Sequence, residues 1–161
     1  MLKLTLLEFF LRGLPEGFLF MFAVYAFSKT PINLKKYIIS SVFFVPTVYL
    51  IRLLPIQYGV HTILGIIAIN VVSINFSKIS IIKSIQASLM AVILQYICEG
   101  INVLIIQYIF KADIMYLLSD PSLKVLYGIP SLLIFAAIVC TYYFYNSRRK
   151  QLKEVINGEI S

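Results

Sequence analysis

Five long apolar stretches, at about 4–27, 37–54, 59–76, 84–110 and 125–145, alternate with short connections that hold most of the charge of this 161-residue chain. Crossing a bilayer core about 30 Å thick takes roughly 20 predominantly apolar residues in a helix. Each stretch is long enough to do so with some tilt. Apolar runs of this length without strict alternation are helical, and a helix satisfies every backbone N–H and C=O without help from water. The chain is therefore expected to be all-α: a multi-pass transmembrane helical bundle of five spans within residues 1–145, followed by a basic tail, residues 146–161. Hydrophobic residues make up 60% of the sequence, against about 45–50% apolar content in soluble domains.

The distribution of charge sets the orientation. The formal net charge is +7, and in a soluble protein such an excess would suggest a nucleic-acid partner. Here Lys29, Lys35, Lys36, Lys78, Lys83, Arg148, Arg149, Lys150 and Lys153 all fall in alternate connections or in the tail. Basic residues that collect on one side of a bundle follow the positive-inside rule. This predicts a cell-membrane protein with its N-terminus outside, its C-terminus in the cytoplasm, the lipid bilayer as partner and no nucleic acid. Tryptophan is absent, so 11 tyrosines and 12 phenylalanines must supply the interfacial aromatics.

The first stretch carries an anomaly. Glu8, Arg12 and Glu16 recur at four-residue spacing inside it, and Gly13-Leu14-Pro15-Glu16-Gly17 interrupts it with helix breakers. From Gly17 to Phe27 there are only 11 residues, about 16 Å of helix, half of what a span requires. The missing length must come from Leu4 to Leu14, which places Glu16 near mid-membrane. An interfacial helix followed by a re-entrant segment is the rival arrangement. On one helical face Arg12 can pair with both carboxylates, and ionisable groups at such depth are compensated or functional.

Two further groups of polar residues accompany the spans. Arg52, Gln57, Tyr58 and His61, the one histidine, surround Pro55 and Gly59 in the second connection. There they can line a ligand-contacting rim on the outer side or simply form a hairpin turn with a snorkelling arginine. Glu99-Gly100-x-Asn102, with Gln95 one turn earlier, places a second carboxylate about midway along the fourth span. It can pair with Arg12 or Arg52, or help to hold a ligand or ion. Asn70 and Asn75 suit hydrogen bonding between helices, and Ser84, Ala87, Ser88 and Ala91 would let the fourth helix approach a neighbour closely.

Chemistry of other kinds has little footing. Lone His61 has no metal-ligand partner at suitable spacing, Cys98 and Cys140 sit at different depths, and no nucleophile, phosphate-loop or metalloprotease motif occurs. No catalytic residues, metal or cofactor are therefore expected. The ligand-contacting candidates are Glu8, Arg12, Glu16, Arg52, Tyr58, His61, Glu99 and Asn102.

Leu14-Pro15-Glu16-Gly17, Leu54-Pro55-Ile56 with Tyr58-Gly59-Val60-His61, and Glu99-Gly100-x-Asn102 together resemble the membrane-embedded sensory half of clostridial histidine kinases of the accessory-gene-regulator type, in a stand-alone form. In that family the membrane half recognises an extracellular peptide, and a separate cytoplasmic half carries phosphotransfer chemistry. The resemblance implies a non-enzymatic sensory or regulatory module for a small peptide or apolar ligand from the outer side. A separate cytoplasmic signalling protein would relay the signal, and a homo-oligomer is compatible with it. The alternatives are a small solute or ion transporter with a midplane site at Arg12, Glu16 and Glu99, and a purely structural subunit.

Overall fold

The computed structural model describes residues 9–56, 58–108 and 121–158, and among them there is no strand. A π-helical turn, Phe9–Gly13, leads into α1 (Leu14–Phe27), followed by α2 (Leu34–Leu53), α3 (Tyr58–Asn75), α4 (Ile81–Tyr108) and α5 (Pro121–Gly158). Four segments are long and apolar enough to cross a membrane: Phe9–Phe27, Leu34–Leu53, Ile81–Tyr108 and Leu126–Arg148. The remaining expected span is a shorter apolar helix, Gly59–Asn75, whose 1.5 Å rise per residue gives about 26 Å. This all-helical architecture fits an integral membrane protein.

Local chemistry explains where the helices depart from the boundaries expected from hydropathy. The α2 helix starts at Leu34 because the Asn33 side chain accepts a 3.3 Å hydrogen bond from the Lys36 amide, an N-cap that draws two lysines into the first turn. The α5 helix runs on past the apolar stretch into the basic tail. It continues to Gly158, since no glycine or proline intervenes after Pro130.

Most informative is the first stretch, where the breakers do not break the helix. Pro15 stands at the start of α1 and brings no N–H to the Leu11 carbonyl four residues back, against which its ring would press. Widening the preceding turn to π geometry moves that carbonyl aside and keeps the chain helical.

The α1 helix is the hub of the bundle. It packs against α2, α4 and α5, while α2, α3, α4 and α5 contact one another in sequence order around it. Met21, Val24 and Tyr25 of α1 meet Phe44 of α2, Ala68, Ile69 and Val72 of α3 and Ala87 of α4 in one core cluster. A second cluster joins Ala23 and Ala26 of α1 to Ala91 and Cys98 of α4 and to Phe135 and Val139 of α5. Gly17 permits the closest approach: a Cβ there would stand 2.5 Å from Val45 Cγ2 of α2. Outward-facing Ile82, Ile93, Leu104 and Leu133 are exposed, as helices facing hydrocarbon should be.

Where α3 meets α4, small residues do what their spacing suggested. Ser84, Ala87, Ser88 and Ala91 are buried, and Asn70 uses both ends of its amide across the interface. Its Oδ1 accepts from Ser84 Oγ at 2.7 Å and its Nδ2 donates to Ser88 Oγ at 2.9 Å. One end of the bundle gathers the α1–α2 and α3–α4 connections, and there a 2.8 Å hydrogen bond ties Ser40 in α2 to Ser77 in the α3–α4 connection. Lys29 and Lys78 turn the chain there with φ of 54° and 57°. Lys29 and Thr30 donate to the Ala26 and Tyr25 carbonyls, the paired bonds of a Schellman cap with lysine in the place glycine usually takes.

Candidate functional site

Four charged side chains form one continuous series of contacts. Arg52 Nη2 lies 3.0 Å from Glu16 Oε1, Glu16 Oε2 lies 3.9 Å from Arg12 Nε, and Arg12 Nη2 lies 3.0 Å from Glu99 Oε1. Gln95 Nε2 donates a 3.3 Å hydrogen bond to the same Glu99 oxygen. The outer contacts, Arg52 with Glu16 and Arg12 with Glu99, are hydrogen-bonded ion pairs; the central one, at 3.9 Å, is electrostatic contact only. Two positive and two negative groups cancel, so the network carries no net charge into the bundle.

Different elements supply each member. Arg12 belongs to the π-helical turn, Glu16 to the first turn of α1, Arg52 to the last turn of α2 and Glu99 to α4. A fourth helix enters through its backbone: a Cβ on Gly128 of α5 would stand 2.8 Å from Arg12 Nη1 and 2.9 Å from Arg12 Cζ. The guanidinium therefore lies directly on α5 at the residue where there is no side chain to obstruct it. Glu16 is the innermost member, its side chain 9% exposed against 24%, 35% and 36% for Arg12, Glu99 and Arg52. A carboxylate desolvated to that degree needs strong compensation, and Glu16 is the member that touches both arginines.

Arg12 joins the carboxylates of α1 and α4, and Arg52 closes the series from the end that holds the α2–α3 connection.

Other expected site residues fall elsewhere. Asn102 is buried and donates a 2.6 Å hydrogen bond to the Tyr127 carbonyl, which ties α4 to α5 just before Gly128. Tyr58 is the first residue of α3 and His61 lies half-buried in its first turn. Glu8 and Gln57 lie outside the described residues. A small crevice of about 10 Å3 opens beside Arg52, lined also by Phe9, Gly13, Val45, Val48 and Tyr49, a water-sized space between the π-helical turn and α2. Among the described residues no three His, Cys, Asp or Glu side chains come together as a metal-binding group, and Cys98 and Cys140 are free thiols.

Sequence reasoning did not find Gly128 or the Tyr127 carbonyl. Gly128 lies inside α5, within the 125–145 stretch read as a span, but nothing in that stretch marked it as a contact point. The Tyr127 contribution is a backbone atom, invisible to any side-chain pattern. Comparison with known proteins finds no matching family model, no similar curated protein and no similar solved structure.

Proposed function

We propose that the chain is a non-enzymatic sensory or regulatory module of the cell membrane, and that rearrangement of the Arg52, Glu16, Arg12 and Glu99 network is what carries its signal. The observation behind this reading is the place of Arg12. It stands between carboxylates on two helices, hydrogen-bonded to Glu99 and in looser contact with Glu16. Such a group has two pairing positions, and a ligand that favours one of them shifts helices relative to each other. A small peptide or apolar ligand reaching the network from the outer side would act by that differential affinity.

The other end of the bundle suits the relay. The α5 helix extends to Gly158, beyond the apolar segment that ends at Arg148, and offers a continuous lever to a separate cytoplasmic signalling protein. Transport through Arg12, Glu16 and Glu99 is less well supported, because each of the three is already held by another charged side chain.

A test uses the full chain in lipid nanodiscs, with Cys98 and Cys140 replaced by alanine and spin labels at positions 29 and 148. Glu99→Gln should shift the distance distribution between those labels, because the network at one end is coupled to the helix ends at the other. An unchanged distribution would remove the relay. Glu99-dependent ion or solute uptake by proteoliposomes would assign the network to transport instead.

A further inference from the structure

Beside the charge network, α4 buries two acceptor atoms that no described residue satisfies. Gln95 and Asn102 are each 6% exposed, and neither Gln95 Oε1 nor Asn102 Oδ1 accepts a hydrogen bond. Buried polar atoms without partners are uncommon because each forfeits its hydration. Rotating the amides does not remove the problem. The Gln95 Nε2 group is committed to Glu99 and the Asn102 Nδ2 group to the Tyr127 carbonyl, so a flip would set oxygen against oxygen.

Spacing places both near Glu99, at i−4 and i+3 on one helical face. The oxygen and nitrogen of one amide are about 2.2 Å apart. With Gln95 Nε2 3.3 Å from Glu99 Oε1, the orphaned Gln95 oxygen is within roughly 5.5 Å of that carboxylate atom, the span of two hydrogen bonds meeting at one donor molecule. A cation is the wrong occupant. Arg12 already neutralises Glu99, and a second positive charge would enter a low-dielectric interior without a counter-ion.

From this geometry we propose that Gln95, Glu99 and Asn102 form a binding site for small neutral hydrogen-bond donors, held by water in the absence of any other ligand. Water donates two hydrogen bonds and accepts none from these groups, which complements an all-acceptor lining. A ligand entering the site does so by presenting N–H or O–H groups to the same oxygens. This site stands on its own geometry and does not depend on a sensory role.

Magnetisation transfer from water protons to side-chain amides, measured by solid-state NMR on the intact protein in bilayers, tests the proposal without any variant. Two internal standards bracket the result. The Asn33 side chain is exposed in a connection, whereas the Asn70 amide is satisfied at both ends within the protein. Gln95 and Asn102 should show build-up within about twofold of Asn33, since ordered water is in direct contact with them. Transfer as slow as that at Asn70 would overturn the proposal. So would amide shifts at Gln95 and Asn102 that follow an exchange of sodium for potassium or ammonium, because those would identify a cation site.

Discussion

Arg52 and Glu16, 36 positions apart in sequence, meet at 3.0 Å and fasten the end of α2 to the beginning of α1. The two are unequal partners. Glu16 is buried and touches two arginines, whereas Arg52 keeps a side chain 36% exposed. Loss of one charge therefore has a different consequence depending on which side is lost.

Replacing the buried partner removes the one carboxylate that touches both arginines, so Glu16→Gln should destabilise the folded protein by about 3 kcal/mol, the scale for breaking a buried charge pair. Arg52→Gln leaves Glu16 with Arg12 as neighbour and should cost only about 1 kcal/mol. Reversible unfolding of the two variants in lipid bicelles checks the ranking. Equal costs would show that Glu16 does not depend on the interior more than Arg52 does.

Gly128 should behave as part of the charge network although it has no charge. A methyl group at that position would meet the Arg12 guanidinium at 2.8 Å, and Arg12 would have to withdraw from Glu99. Gly128→Ala and Glu99→Gln should then be non-additive, with a coupling of about 1 kcal/mol in a double-mutant cycle. Gly17→Ala crowds Val45 instead and should add independently to Glu99→Gln. A coupling of zero between Gly128→Ala and Glu99→Gln would place the guanidinium elsewhere.

What the sequence made legible was governed by local composition. Spans over α2, α4 and α5 were readable because lipid demands long apolar runs, and the intramembrane charges Arg12, Glu16 and Glu99 stood out against them for the same reason. Pairing was harder. Spacing within one helix suggested Arg12 with Glu8 and Glu16, and Glu99 was open to a pair with either Arg12 or Arg52; the hydrogen-bonded partner of Arg12 is Glu99, 87 positions away. Such a contact depends on how α1, α4 and α5 pack, and packing depends on Gly17 and Gly128, whose role lies in the side chain they lack. The breakers at Gly13 and Pro15 were visible, yet their structural result, a widened turn instead of a break, turns on how the Leu11 carbonyl is accommodated, which residue type alone does not announce.

Asn70 provides a contrast with the charged end. It joins Ser84 and Ser88 across the α3–α4 interface, and none of these residues contacts the four-residue network. Asn70→Leu should cost about 0.6–1 kcal/mol, the usual range for a hydrogen bond between membrane helices. Combined with Arg52→Gln, the effects should simply add. A sizeable coupling would mean that the α3–α4 seam and the charge network move as one unit.

Pro15 sets the register of Arg12, and that leads to a prediction about pairing more than stability. The Phe9–Gly13 turn is π-helical directly before a proline that cannot donate to the Leu11 carbonyl. With Pro15→Ala an N–H becomes available, the steric pressure on that carbonyl disappears, and the ordinary i to i+4 turn becomes the lower-energy one. Tightening the turn rotates Arg12 about the helix axis toward the position where its i+4 neighbour, Glu16, is the natural partner. Arg12 should then exchange its 3.0 Å contact with Glu99 for a closer one with Glu16, now 3.9 Å away. Double-mutant cycles in the Pro15→Ala background would detect this directly. Coupling between Arg12→Gln and Glu99→Gln should fall, and coupling between Arg12→Gln and Glu16→Gln should rise, each by about 1 kcal/mol. If both couplings match those of the unaltered protein, the π turn is held by the surrounding helices and not by Pro15.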